Sequence, residues 1–365
     1  MLIILIINIS YLIFNLVLMV TWQKMIRTKI VNSSEKDTKL TIIVPVRNES
    51  ANIFNLLTSL NRQNYPFKNF EVIIANDGST DDTEDIVLNF QGSSKYELKL
   101  LNILNEKGNS PKKRAIQKSV EIAAGDLILT TDGDCIVTEN WLSSVEQMYK
   151  ASGAKFISSP VTFSDEKSFW NTLQMIEFAS LIGSGACAMF LKKPNMCNGA
   201  NIAYTREVFE EVGGFAGNEH LASGDDEFLM HKISKLYPTE VVFNIDKNAI
   251  VYTKSSANII QFYQQRKRWA SKWKHYKDWK ITTLAIFIFT VNLTFLWSLF
   301  TSNYLAVIIK LSAEFFYLSI IIGYFGYKNK VKFIPIIQFI YPFYVVFFGF
   351  IAQGKGYYWK GRKLS

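Results

Sequence analysis

The sequence predicts an α/β domain with a mostly parallel central sheet, set between transmembrane helices at both ends of the chain. Three observations predict it. Long uncharged apolar stretches lie near both termini, short apolar runs alternate with polar helical stretches between them, and acidic turn residues follow directly after those runs.

Residues 2–22 carry no charged side chain, and Lys24, Arg27 and Lys29 follow at once. An apolar run of that length spans a hydrocarbon core of about 30 Å. A cleavable signal peptide would place its basic residues before the run and a small-residue cleavage site after it; here the basic residues come after. The segment 1–23 is therefore expected to be an anchor, and 24–39, polar from Asn32 to Lys39, a short linker.

From residue 40 to residue 254 the period changes. Residues 40–46, 70–75, 98–104 and 126–131 read as strands, with helices expected over 50–62, 80–88 and 112–123. Ser50 is the expected cap of the first helix, and Ser79 or Thr80 of the second. Such repeated strand–helix units build a parallel sheet, whose ligands bind beyond the C-terminal strand ends. No internal repeat or low-complexity segment is evident.

Residues 255–280 form an expected amphipathic interfacial helix, centred on 256–274, and 281–354 hold the C-terminal membrane segments. Residues 281–300 and 333–352 are uncharged, while 304–325 contains Lys310 and Glu314, one helical turn apart and placed to neutralise each other. The basic residues at 24–29 and 266–280 put the intervening domain on the cytoplasmic side of a multi-pass inner-membrane protein. Three C-terminal spans would leave the basic tail, 355–365, on the other side, which points to a re-entrant last segment broken by Pro335 and Pro342, or to an interfacial one elsewhere.

Composition narrows the function classes. Hydrophobic residues make up 49% of the chain and aromatic ones 15%, as lipid contact requires. The 40 basic residues against 31 acidic ones concentrate beside the apolar segments, which favours anionic membrane lipids as a partner and argues against nucleic acid. Cys135, Cys187 and Cys197 show no zinc-like spacing, and His220, His231 and His275 form no HExxH or triad pattern. GxSxG, Walker A and GxGxxG patterns are absent, and Gly183-Ser184-Gly185 reads as a helix end.

Four constellations remain. Asp132-Gly133-Asp134, in a turn after the fourth strand, offers two hard oxygen donors for Mg²⁺ or Mn²⁺, ions that bind through one or two carboxylates plus substrate phosphates. Asp77, followed by Gly78, is placed to accept from a base N–H, and Lys112 and Arg114 open a helix from which cations reach a diphosphate. Asp225-Asp226-Glu227 begins a helix; consecutive carboxylates raise one another's pKa and make a candidate general base. Gln265-Arg266-Lys267-Arg268-Trp269 pairs guanidinium groups with an aromatic face, a combination suited to phosphate and sugar or, equally, to headgroups with Trp273 at the interface.

In order and rough spacing, Val44-Pro45-Val46-Arg47-Asn48-Glu49, Asn76-Asp77-Gly78-Ser79, Lys112 with Ala115, Asp132-Gly133-Asp134, Asp225-Asp226 and the QxxRW box at Gln265–Trp269 resemble family 2 glycosyltransferases over residues 40–274. The flanking membrane segments look like those of the inverting branch that includes cellulose and hyaluronan synthases and ceramide glucosyltransferase-like enzymes. The resemblance implies a single Rossmann-like nucleotide-diphospho-sugar transferase (GT-A) domain. It also implies a donor site of Pro45, Glu49, Asp77, Lys112 and Asp132, a metal ligand at Asp134 with Asp132, a base at Asp226 beside Asp225, and a Gln265, Arg268 and Trp269 box beside donor and acceptor. Asn76 stands where the family often has Asp, and Asp225 where it often has Glu, so the base assignment is open to a slip of one residue.

The function implied is inverting transfer from a nucleotide-sugar, UDP by resemblance, to a hydroxyl of a lipid or glycan. A polyprenyl-phosphate sugar transferase, a non-catalytic nucleotide-sugar-binding subunit and a transporter are the alternatives. The QxxRW box weighs against the first, the intact acidic clusters against the second, and the large domain against the third.

Overall fold

A computed structural model describes residues 2–28, 37–103, 110–276, 278–351, 357–359 and 362–364. Residues 29–36, half of the expected linker, lie outside these, as do Lys355 and Lys360 of the expected basic tail, while residues 24–27 continue the first helix, Leu2–Arg27. Two compact units emerge, one of residues 28–164 and 188–254, the other of residues 1–27, 165–187 and 255–365. The stretch 40–254 is thus interrupted by residues that cluster with the terminal helices.

The first unit is built on β1 (Leu40–Val46), β2 (Phe70–Asn76), β3 (Glu97–Asn102), β4 (Leu127–Thr130), β5 (Ile136–Val137), β6 (Phe156–Ser158), β7 (Val161–Phe163), β8 (Ile202–Thr205), β9 (Val241–Phe243) and β10 (Val251–Thr253). Seven of them form one sheet in the order β3-β2-β1-β4-β8-β6-β9. β3, β2, β1 and β4 run parallel, β8 is antiparallel to β4 and β6, and β6 is parallel to β9. A smaller sheet joins β5, β10 and β7.

β1 and β2 sit in the middle of the parallel half and are buried on both faces, as their continuous apolar runs require. Ile42, Ile43, Val44, Val72, Ile73 and Ile74 are completely buried. The register Leu40↔Phe70 to Val46↔Asn76 carries the ends of β1 and β2 to one edge, and Ile43↔Thr130 brings β4 to the same place. The helix Pro111–Glu121 starts there too. Proline at its first position loses no helical hydrogen bond, and Ala115, Ile116 and Ser119 turn inward.

Helix starts differ slightly from expectation. The first begins at Ile53 behind Asn52, and the second at Thr83 behind Asp82, so Ser50, Ser79 and Thr80 are not caps. Asp81 instead ties this corner, accepting from Ser50 N–H at 3.0 Å and from Thr83.

In the second unit the helices Leu2–Arg27, Phe169–Phe190, Trp279–Phe300 and Tyr304–Tyr324 and the segment Lys328–Ile351 are long and apolar enough to cross a membrane, five among the described residues. Phe169–Phe190 was not anticipated. Gly183-Ser184-Gly185 lies inside it rather than at its end, and a Cβ on Gly183 would stand 2.6 Å from Tyr317 Oη, so glycine permits close helix packing. Ile334–Ile351 is one helix that Pro342 does not break.

Lys310, fully buried, pairs with Glu314 at 2.7 Å, and Tyr11 donates to the same Glu314 oxygen at 2.7 Å. The two charges neutralise each other inside the bundle, as their spacing predicted. None of the three cysteines forms a disulfide.

Candidate functional site

The loops after β1, β2 and β4 meet at one sheet edge. Asn48, at φ 53°, accepts from Thr80 N–H at 2.8 Å while its own N–H donates to Ser79 Oγ at 3.0 Å, which staples the first two loops together. Arg47 Nη1 donates to the carbonyl oxygens of Asp77 and Gly78 at 2.5 and 2.7 Å. Gly78 takes φ 62°, a conformation that favours glycine, and lets the chain turn under that guanidinium.

Asp77 Oδ1 accepts from Arg114 Nη2 at 2.7 Å, with both side chains buried. Arg114, expected to reach a diphosphate, is therefore committed to orienting Asp77. Pro45 pairs with Ala75 within the sheet, and Glu49 is buried, its Oε2 accepting from Asn52 at 2.7 Å.

The turn 132–134 lies against that floor. A Cβ on Gly133 would come within 2.9 Å of Glu49 Cγ and 3.0 Å of Val46 Cγ1, so the close approach requires glycine. Asp134 Oδ1 accepts from Thr253 Oγ1 at 3.3 Å, an interaction with β10 that sequence reasoning missed.

Lys112 joins the two acidic clusters. Its Nζ lies 2.8 Å from Asp132 Oδ1 and 3.2 Å from Asp225 Oδ2. Burial opposes its charge, but Asp132 and Asp225 outweigh burial and hold the ammonium protonated well above the usual lysine range. Burial likewise opposes ionisation of Asp225, and Lys112 overcomes it, so the Asp225 pKa falls below the ordinary aspartate value. Mutual repulsion among Asp225, Asp226 and Glu227 therefore does not raise the Asp225 pKa, as the sequence led us to expect; a cation from another helix decides its charge.

Asp226 is half-buried, with Oδ2 accepting from Gly199 N–H and Oδ1 from Glu227 N–H, both at 2.8 Å. Gly199 lies against both acids, since a Cβ there would stand 3.2 Å from Asp225 Oδ2 and 3.3 Å from Asp226 Cβ. The one available signal for Gly199 was its place in Asn198-Gly199-Ala200-Asn201, a turn-like run before β8. Lys113, also missed, is buried, donates to Asn218 O at 2.7 Å, and is pushed by burial down to about 8 against the pull of Asp225 and Asp226.

Pro45, Glu49, Asp77, Lys112, Asp132, Asp134, Asp225 and Asp226 thus all belong to the first unit. Gln265, Arg268 and Trp269 belong to the other, on the helix Ile259–Ser271. There the buried guanidinium is Arg266, not Arg268. It pairs with Glu177, stacks 4.1 Å from the Trp269 ring centroid and 4.6 Å from that of Phe262, and donates to Gln265 Oε1 at 2.6 Å. Arg268 is half-buried.

The sheet, in the order β3-β2-β1-β4-β8-β6-β9, is of the GT-A fold class. Residues 41–213 match the family described as Glycosyl transferase family 2. Glycosyltransferase AglE of Haloferax volcanii is 28% identical over 195 residues, 51% of this chain and 58% of that protein, so the alignment spans little more than half of AglE. Poly-beta-1,6-N-acetyl-D-glucosamine synthase of Staphylococcus epidermidis is 22% identical over 337 residues, 87% of this chain and 78% of the synthase. Among solved structures, mannosyltransferase PcManGT from Pyrobaculum calidifontis, in complex with GDP-Man and Mn²⁺, shares the fold with a TM-score of 0.57 and 14% identity, covering 96% of each chain.

Proposed function

We propose that the chain is an inverting, metal-dependent hexosyltransferase that moves a sugar from a nucleotide-diphospho-sugar, UDP-linked by resemblance, to a hydroxyl of a lipid or growing glycan at the inner membrane. The observation that carries this reading is the Lys112 ammonium between Asp132 and Asp225, next to Asp226. A cation and several carboxylates at the C-terminal edge of a parallel sheet suit a substrate with a charged diphosphate and a reacting hydroxyl.

Asp132 and Asp134 are the proposed metal ligands. Among the described residues no three His, Cys, Asp or Glu side chains are placed to hold a metal ion by themselves, and two carboxylate donors leave the remaining positions for phosphate oxygens, the pattern that Mg²⁺ and Mn²⁺ favour. The PcManGT complex with GDP-Man and Mn²⁺ supports the same choice. Such an ion supplies charge stabilisation for the departing diphosphate.

The chain's own residues supply the rest. Asp77, fixed by Arg114, receives the nucleoside with Pro45 and Glu49. Lys112 neutralises the diphosphate, and its release from Asp132 couples donor binding to the charge of Asp225. Asp226, oriented by the Gly199 and Glu227 N–H groups, takes the acceptor proton as the hydroxyl attacks the anomeric carbon from the face opposite the diphosphate. The four apolar helices nearest the two ends of the chain anchor the protein as a multi-pass membrane protein, with the sheet unit in the cytoplasm; Phe169–Phe190 joins two parts of that one sheet unit and so does not cross.

The test incubates membranes containing the protein with labelled nucleotide-sugars, first with chelator and then with Mn²⁺ or Mg²⁺, and extracts lipid and polymer fractions. Labelled product that appears only when metal is restored is the expected result. Product formed equally well in chelator would overturn the metal assignment, and no product from any donor would overturn the transferase reading.

A further inference from the structure

The last apolar segment, Lys328–Ile351, begins and ends against the same pair of neighbouring helices, Phe169–Phe190 and Ile259–Ser271. The chain itself keeps that pair on the side of the membrane that holds the sheet unit. Phe169–Phe190 leaves and re-enters the unit, and Ile259–Ser271 starts a few residues after the unit ends. The two helices lie alongside each other, with Trp170 against Phe262 at 5.2 Å and Phe178 against Trp269 at 5.9 Å between ring centroids.

At the start of the last segment, Lys330 Nζ lies 3.1 Å from both Asp165 Oδ1 and Thr172 Oγ1, and the Phe333 ring lies 5.8 Å from that of Phe169. About 22 Å of helix further on, Phe348 meets Tyr263 at 5.9 Å and Phe262 at 6.5 Å. A crossing would separate these contacts by a hydrocarbon core of about 30 Å. Beyond the helix, the strand Tyr357–Trp359 pairs with Arg362–Leu364 and packs on Ile259–Ser271 as well.

The direction of the helix agrees with its contacts. Trp279–Phe300 leaves the side of the sheet unit, and a later helix that left the same side to cross would run parallel to it. Ile334–Ile351 runs the opposite way: Phe339 packs on Phe295 at 6.1 Å, and Phe350 packs at 6.0 Å on Phe289, nearer the start of that helix. Gln338 donates to Leu311 O at 2.6 Å, so the segment dips into the bundle before it turns back.

We propose that Ile334–Ile351 anchors the chain without crossing. The segment enters from the cytoplasmic side, reaches the interior of the bundle and returns. Leu2–Arg27, Trp279–Phe300 and Tyr304–Tyr324 cross, and the C-terminal residues lie on the cytoplasmic face beside the helix that carries Gln265, Arg268 and Trp269. Lys355, Lys360, Arg362 and Lys363 then obey the positive-inside rule, which three C-terminal crossings would violate. This topology goes beyond the transferase reading and rests only on the membrane anchorage proposed with it.

The experiment introduces one cysteine at a time into the full chain. Gly92→Cys marks the sheet unit, Thr301→Cys the turn between Trp279–Phe300 and Tyr304–Tyr324, and Asn329→Cys and Ser365→Cys flank the last helix. Sealed vesicles of both orientations are treated with a membrane-impermeant maleimide, with the unaltered protein as background and detergent-opened vesicles as full signal. Asn329→Cys and Ser365→Cys are expected to react from the same side as Gly92→Cys, and Thr301→Cys from the other. Either flanking cysteine reacting from the Thr301→Cys side, or only in detergent, would overturn the proposal. Thr301→Cys reacting from the Gly92→Cys side would remove the crossing helices themselves and sink the anchorage along with this topology. Sugar transfer enters none of these readings, so failure of the transferase reading leaves the result standing.

Discussion

Asp132 and Asp225 lie on either side of a single ammonium, Lys112 Nζ, at 2.8 and 3.2 Å. Neither acid is near the other in sequence, and the lysine comes from a third element, the helix Pro111–Glu121. A cation shared by two carboxylates is poised to exchange partners when a polyanion arrives, because a diphosphate competes for the same donor.

Removing that cation should be felt by both acids. In Lys112→Met, Asp225 is left buried without its partner, and its pKa rises from below the ordinary aspartate value. Nucleoside-diphosphate binding is expected to weaken by about 10- to 100-fold, the range for a lost charge-assisted hydrogen bond. Titration calorimetry measures it, and unchanged affinity would remove Lys112 from the donor site.

The same pair fixes a pH dependence. The Asp225 pKa is depressed in the folded state, so its contribution to stability is present above the unfolded aspartate value, about 3.9, and is lost as pH falls through the folded value. Lys113 has the same sign in a higher pH window. Its folded pKa is about 8 against 10.5, so the unfolded chain binds more protons between those values and stability contributed at this site rises with pH. Between about pH 7.5 and about pH 9.5, wild type should gain stability relative to Lys113→Met, measured by thermal unfolding. A constant difference would contradict the buried-ammonium reading.

Gly199→Ala puts a methyl 3.2 Å from Asp225 Oδ2 and 3.3 Å from Asp226 Cβ. Such a contact moves the acids by tenths of an ångström, so turnover is expected to fall by about tenfold or more while the fold survives. Gly92→Ala, where nothing lies within 4 Å of the new methyl, is the control and should stay within about 0.5 kcal/mol of wild type.

In the second unit, Arg266→Met leaves buried Glu177 without its partner. Stability should drop by about 3–5 kcal/mol, and Arg266→Met with Glu177→Leu should recover much of it. Denaturant titration of the two variants decides this; equal losses would mean that the Arg266 stacks on Phe262 and Trp269 matter more than the ion pair.

The parallel half of the sheet was legible because β1, β2 and β4 are continuous apolar runs ending in turn residues, a local signal. The strands β5 to β10 were not, being two to four residues long and placed by pairings between distant segments. The helix Phe169–Phe190 escaped notice because Gln174 and Glu177 interrupt its hydropathy and Gly183-Ser184-Gly185 imitates an end, while the residues that compensate, Ser256, Arg266 and Tyr317, lie far along the chain. The candidate acids could be named from order and spacing. Their charge states could not, since Lys112 sets that of Asp225 and Arg114 holds Asp77 through contacts between separate elements.

Asp226 is the proposed receiver of the acceptor's proton. Purified Asp226→Asn, with donor affinity measured by calorimetry and turnover with labelled donor and acceptor, tests it most directly. Donor binding close to wild type with turnover lower by about 100-fold or more is expected. Turnover at the wild-type rate would contradict it.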